Sequence, residues 1–209
     1  MHDLKVFANN KFVIQPYNVQ LEKKVDQFIG DLVELFSKPE IIHYNRNREL
    51  TNKQEASRFL NSTIRGYENQ THFDYFILNR YNASLIGTVH LVSPKMTKSL
   101  YPFLSLMSDI KDLISGTWTI EYYLDVPYRR KGLMTRYVKL MIGELFNQGA
   151  SAVCALVSED NMPSILLLKK LEFTKDSLYK DHSGQALYWR KRPVQATLYD
   201  EAARLFKIK

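Results

Sequence analysis

The stretch DVPYRRKGLMTRYVKLM, residues 125–141, sets Arg129, Arg130 and Lys131 around Gly132 and then runs into an apolar repeat. A strand-like run ends at Pro127 and a helix begins almost at once. The first turn of a helix has amides without intrahelical partners, and its dipole adds partial positive charge. Such an end takes phosphate readily, and a glycine there lets the backbone come close to a ligand. The alternative is a basic helix start that merely faces solvent.

Other reactive side chains are less ordered along the chain. His2, His43, His72, His90 and His182 lack ligand spacing, so no metal site is expected. His90 lies in a strand-like run, where it either lines a groove or is packed and hydrogen-bonded. Cys154 sits inside SAVCALV and reads as core. Arg46 and Arg48, in YNRNREL, either reach a substrate mouth or lie in a solvated turn.

The elements that must carry these residues follow from periodicity. KFVIQPY predicts a short strand ended by Pro16. Val25, Phe28, Ile29, Leu32 and Phe36 predict a helix over 19–36, which Pro39 terminates. Thr51 with Gln54 reads as a capping box opening a second helix through Tyr67. HFDYFILN and SLIGTVHLVS predict a hairpin, and GTWTIEYYLDV a third strand. Between them, residues 94–115 are too long for a hairpin connection and read as an insertion with a little helix of its own. In the third strand, alternation sets Trp118, Ile120, Tyr122 and Leu124 on one face and Thr119, Glu121, Tyr123 and Asp125 on the other. A glutamate amid apolar neighbours needs a reason: it lines a groove for a cation, or pairs with a basic neighbour. After the basic turn come a helix stopped at Gly149, a buried strand ASAVCALVS, a helix capped by Asn161, two strands and a short amphipathic helix over about 195–208. With no repeat and no linker, the chain reads as one mixed α/β domain over 1–209.

Composition bounds the partners. The 209 residues are 45% hydrophobic and 24% charged, ordinary for a folded protein, and carry 29 basic against 22 acidic side chains, a formal charge of +7. That excess suits an anionic ligand without choosing between a nucleotide cofactor, RNA and a membrane surface. One cysteine excludes an internal disulfide, and no apolar run approaches ~18 residues, so a cytoplasmic protein is expected.

The element order, the basic-glycine turn and EDNMPSILLLKKLEF together resemble the GNAT superfamily of acetyl-CoA-dependent N-acetyltransferases. Arg129 and Gly132 hold the first two fixed positions of that family's loop, and Met134 replaces its last small residue. The stretch GLMT is similar to the RimJ/RimL branch, which acetylates ribosomal-protein N-termini and tolerates methionine there. Asn161 and Ser164 match that branch, while LEF puts Glu172 where glycine is expected. The resemblance covers roughly residues 12–192, is strongest over 117–173, and is weak in the insertion.

The resemblance implies a GNAT fold: a mixed, mostly antiparallel twisted sheet whose central parallel pair splays around the cofactor, with helices on both faces. It implies acetyl-CoA as donor, no metal, and direct transfer to a primary amine, either a protein N-terminus or a small amine. Backbone groups of Leu124 and Val126 would hold the pantetheine arm. Amides of Arg129, Arg130, Lys131, Gly132, Leu133, Met134 and Thr135 would cradle the pyrophosphate, and Asn161 and Ser164 would face the cofactor. Glu121 is the candidate base. The tyrosine that many members use as proton donor is Leu168 here, which leaves Ser164; the alternative is a serine bonded only to local backbone. The competing functions are a catalytically inactive relative that binds ribosome or RNA, or an acyl-CoA sensor. Neither DNA binding nor membrane association is expected, and monomer and homodimer both remain open.

Overall fold

The computed structural model describes residues 6–17, 19–22, 24–44, 48–106, 108–179 and 184–193. His2, Arg46, His182 and the expected C-terminal helix lie outside the described residues.

Eight strands form one sheet in the order β1-β2-β3-β4-β5-β6-β8-β7. They are β1 (Phe7–Ala8), β2 (Phe12–Pro16), β3 (His72–Asn79), β4 (Leu85–Val92), β5 (Thr117–Leu124), β6 (Ala152–Ser158), β7 (Thr174–Lys175) and β8 (Gln185–Lys191). Every neighbouring pair is antiparallel except β5 and β6. That parallel pair is joined only from Thr117↔Ala152 to Thr119↔Cys154. Beyond it, β5 follows β4 to Leu124 and β6 follows β8 to Ser158. Each strand is held by its outer neighbour, so the two inner edges part and leave backbone groups facing a gap.

The helices are α1 (Val19–Glu22), α2 (Val25–Phe36), α3 (Pro39–Ile42), α4 (Lys53–Glu68), α5 (Pro94–Leu100), α6 (Leu133–Asn147) and α7 (Met162–Lys170). The helix expected over 19–36 is thus two, α1 and α2. The cap of α4 is also one residue later than expected. Asn52 accepts the Glu55 amide at 2.9 Å, and Glu55 reaches back to the Thr51 amide at 2.7 Å. The reciprocal logic of a capping box holds, but Asn52 is the cap.

Alternation splits the sheet into two unlike faces. On one, Phe73, Tyr75, Val89, Leu91, Ile120 and Leu124 meet α6 and α7 in the main core. On the other, Phe76, Leu78 and Leu85 lie under α2 and α4. On that same face the insertion, α5 with two short 3-10 turns, sends Leu104, Ile110 and Ile114 onto Cys154 and Leu187. Asp109 clasps it: its amide donates to Asp176 Oδ2 at 2.7 Å, and its carboxylate accepts the Ser177 amide at 2.8 Å. Between α4 and the insertion, the central strands present polar side chains.

Candidate active site

The basic turn is a tight backbone structure. Asp125 accepts the Val126 amide at 2.8 Å and pairs with Lys38 at the same distance. A 3-10 turn, Val126–Tyr128, closes with the Arg129 amide on the Val126 carbonyl. Arg130 and Gly132 then take left-handed φ values of 60° and 71°, and α6 starts at Leu133 with no side-chain cap. An added Cβ at Gly132 would meet nothing within 4 Å, so glycine serves the backbone conformation and leaves open space above it. The amides of Leu133, Met134 and Thr135, in the first helical turn, lack intrahelical acceptors.

Two expected contributors are already engaged. Both backbone groups of Val126 are bonded within the turn, so it offers no strand edge. The Arg129 amide is likewise taken, and its side-chain Nε donates to the Leu124 carbonyl at 2.8 Å. The open edge lies further back. Asp125 donates to Ile86 on β4, so antiparallel alternation turns Tyr123 and Glu121 toward β4 and the backbone of Tyr122 and Leu124 toward the gap. A cavity of about 430 Å³ opens beside the cradle rather than in the gap, between Lys11 and Phe12 on one side and Tyr128, Lys131 and Arg136 on the other.

Across the gap, the Tyr122 hydroxyl and Ser164 Oγ share a 2.7 Å hydrogen bond. Asn161 caps α7 by accepting the Ser164 amide at 3.2 Å, which fixes where that serine starts. Burial pushes the Tyr122 phenol up, with the Ser164 bond pulling the other way, so the hydroxyl keeps its proton. The phenol absent at Leu168 is therefore present from the opposite strand. The sequence signal was a tyrosine on the apolar face of β5, whose hydroxyl must find a partner there.

The other face holds a polar row. Asp74, His90 and Glu121 are direct cross-strand partners on β3, β4 and β5. His90 Nδ1 donates to Asp74 Oδ1 at 2.7 Å, and the Thr63 hydroxyl donates to Asp74 Oδ2 at 2.8 Å. Burial would raise the Asp74 carboxyl, but His90, Arg48 and Thr63 outweigh it and hold it below its ordinary value. His72 stands 3.9 Å from Asp74 Oδ2, with burial lowering its pKa. Gly66 of α4 lies so close to the His72 ring that a Cβ would sit 2.5 Å from Nε2. Arg48, just before α4, binds Glu121 at 2.9 Å. Burial opposes the Arg48 charge, yet Glu121 and its neighbours raise its pKa. From the insertion, Tyr101 completes the surround; burial and the Glu121 charge push its phenol up to about 12.

Of the expected residues, Arg130 and Gly132 form the left-handed turn, Leu133, Met134 and Thr135 open α6, Leu124 ends β5, and Asn161 and Ser164 open α7. Lys131 folds back onto the Pro127 carbonyl at 2.7 Å. Glu121 lies on the far face, paired with a basic neighbour. Asp74, Thr63 and Tyr101 escaped the sequence reading. Asp74 left one trace, a carboxylate inside the aromatic run HFDYFILN. Cys154 is core, its thiol pushed up to about 12 by burial. Among the described residues no cluster of three or more His, Cys, Asp or Glu could hold a metal, and no helix is long and apolar enough to cross a membrane.

Residues 21–174 match the sequence model of the acetyltransferase (GNAT) domain. No curated protein sequence matches the chain. Among solved structures, the ribosomal-protein-S5-alanine acetyltransferase from Vibrio fischeri is 15% identical, with a TM-score of 0.65 over 92% of this chain and 99% of that one. RimL, a ribosomal L7/L12 alpha-N-protein acetyltransferase in complex with coenzyme A, is 12% identical, with a TM-score of 0.65 over 90% and 98%. Aminoglycoside acetyltransferase AAC(6')-Ib, also with coenzyme A, is 14% identical, with a TM-score of 0.60 over 94% and 99%. At such identities the likeness is one of fold.

Proposed function

The chain belongs to the GNAT acetyltransferase family, and from that premise we propose that it moves an acetyl group directly from acetyl-CoA to a primary amine. One observation carries the reading: an uncapped helix start and an open edge of β5 lie beside a hydrogen-bonded hydroxyl pair, Tyr122 of β5 and Ser164 of α7.

The residues fit the donor. Amides of Gly132, Leu133, Met134 and Thr135, with the cations of Arg130 and Lys131, suit a diphosphate at a helix start. The backbone of Tyr122 and the amide of Leu124 suit an amide-bearing arm lying along the strand edge, the Leu124 carbonyl being held by Arg129, and Asn161 stands at the start of α7 beside Ser164. When bound, acetyl-CoA supplies an activated thioester carbonyl. The chain's own part is then to hold the arm, to meet developing negative charge with an amide of the β5 edge, and to return a proton to the departing sulfur. Ser164 Oγ is the donor, with Tyr122 behind it as a protonated reserve.

The acceptor arrives on the other face, between α4 and the insertion. Glu121 gives that groove a negative charge that draws an ammonium group, and Arg48 fixes the carboxylate. The acceptor is a protein N-terminus or a small amine, the two classes represented among the structural neighbours by RimL and the aminoglycoside enzyme.

The test has two stages. Acetyl-CoA should raise the unfolding temperature, and free thiol should then appear with one member of a panel of N-terminal serine and alanine peptides, small amines and aminoglycosides. A thermal shift without thiol release points to a sensor. No shift, with RNA binding that weakens steeply in salt, overturns the enzyme reading.

A further inference from the structure

We propose that His90, oriented by Asp74, takes the proton from the acceptor amine, while Glu121 and Arg48 position that amine; the proposal rests on the acetyltransferase reading above. With Nδ1–H donated to Asp74 at 2.7 Å, the lone pair of a neutral ring falls on Nε2. Asp74 has little freedom to release the ring. Its second oxygen accepts from Thr63, and the residue is 2% exposed. Glu121 lies directly across from His90, but its carboxylate is bound by Arg48, and protonation would break that ion pair.

Charge balance points the same way. Asp74 and Glu121 bring two negative charges to the row and Arg48 brings one positive. Burial lowers the pKa of His72 on β3 and raises those of the Tyr67 phenol on α4 and the Tyr101 phenol after α5, which disfavours charge on all three, and the Tyr123 hydroxyl on β5 donates to Glu121 at 3.4 Å. The arriving ammonium brings the missing positive charge to the row, and transfer of its proton to His90 keeps that charge beside Asp74. In the step, an N–H bond of the ammonium breaks and the proton joins Nε2. The electron pair stays on the amine nitrogen as the nucleophile, and the imidazolium later gives its proton to solvent. The row also lies beside the Thr119↔Cys154 rung, where the strands part, so an amine held there stands next to the open β5 edge.

The experiment pairs kinetics with nitrogen NMR. Using the best acceptor of the panel, His90→Gln should lower kcat/KM about 100-fold at neutral pH and leave the acetyl-CoA thermal shift intact. The loss should shrink as pH rises past the amine's own pKa, about 8 for a chain terminus. Asp74→Asn should reproduce the altered pH profile, whereas a purely structural Asp74 would lower the unfolding temperature and leave the profile alone. In the wild type, independent of turnover, the His90 ring should be protonated at Nδ1 and bare at Nε2; the reverse tautomer overturns the proposal even if the variant does not fold. An active wild type with His90→Gln unchanged in kcat/KM and pH profile overturns His90 alone. A wild type that releases no thiol with any acceptor overturns the acetyltransferase reading and this proposal with it.

Discussion

The proposed cofactor half of the site is built from backbone, and the proposed acceptor half from side chains. In the first, an uncapped helix start, two left-handed residues and an open strand edge would do the binding, and almost any side chain with the right conformation would serve. In the second, Asp74, His90, Glu121 and Arg48 come from β3, β4, β5 and the segment before α4, and each works only through its neighbour. Backbone donors do not titrate and are fixed by the fold. Side-chain networks titrate and can be rewired by single substitutions. The difference shows how one scaffold can keep a donor while its acceptor varies.

The largest effect should come from placing bulk and charge in the cradle. Gly132→Glu should abolish the acetyl-CoA thermal shift, whereas Gly132→Asn, which tolerates the left-handed φ, should retain part of it. An unchanged shift in Gly132→Glu would break the assignment of a backbone cradle. Next, Ser164→Ala and Tyr122→Phe should each lower kcat about 100-fold with little change in either KM. If the two hydroxyls act as one donor, the double variant should be no worse than the poorer single one.

On the acceptor side, Glu121→Gln should raise the acceptor KM about tenfold, the scale of one charge-assisted hydrogen bond. It should leave acetyl-CoA binding unchanged, and a parallel loss of both would show that the two halves are not separable. The smallest effect is on stability. His72 has a lowered pKa in the fold, so below its ordinary value of about 6.5 the unfolded chain binds more protons. Its contribution is present above that pH and is lost as pH falls through the folded value. The depressed Asp74 carboxyl adds a second loss further into acid. Unfolding temperature measured against pH should therefore decline below about 6.5, and His72→Gln should flatten the upper part of that decline.

The same contrast explains what the sequence disclosed. The left-handed turn at Gly132 and the Asn161 cap beside Ser164 were legible because each depends only on residues within one turn of it. The faces of β5 were legible from alternation alone, Glu121 included. What Glu121 touches was not, because Arg48 reaches it from 73 residues away. Val126 misled because strand character was extended past Asp125, and Arg129 because a loop amide was counted as free where a 3-10 turn uses it. Tyr122 was seen on its strand, but its meeting with Ser164 depends on how far two strands separate, which no single-strand pattern encodes. Asp74 and His90 pair through β3–β4 register, and a hairpin prediction without register could not bring them together.

The clasp at Asp109 bears on the order in which the molecule assembles. Asp109 and Asp176 are 67 residues apart, and the insertion also packs on Leu187 of β8. Closing so long a loop costs entropy that is recovered only when the distant contacts exist. The β5–α6–β6 unit, by contrast, encloses its own cradle within one continuous stretch of chain. During synthesis the basic turn and the start of α6 can take shape while β8 is still unmade, whereas the packed insertion must wait for nearly the whole described chain.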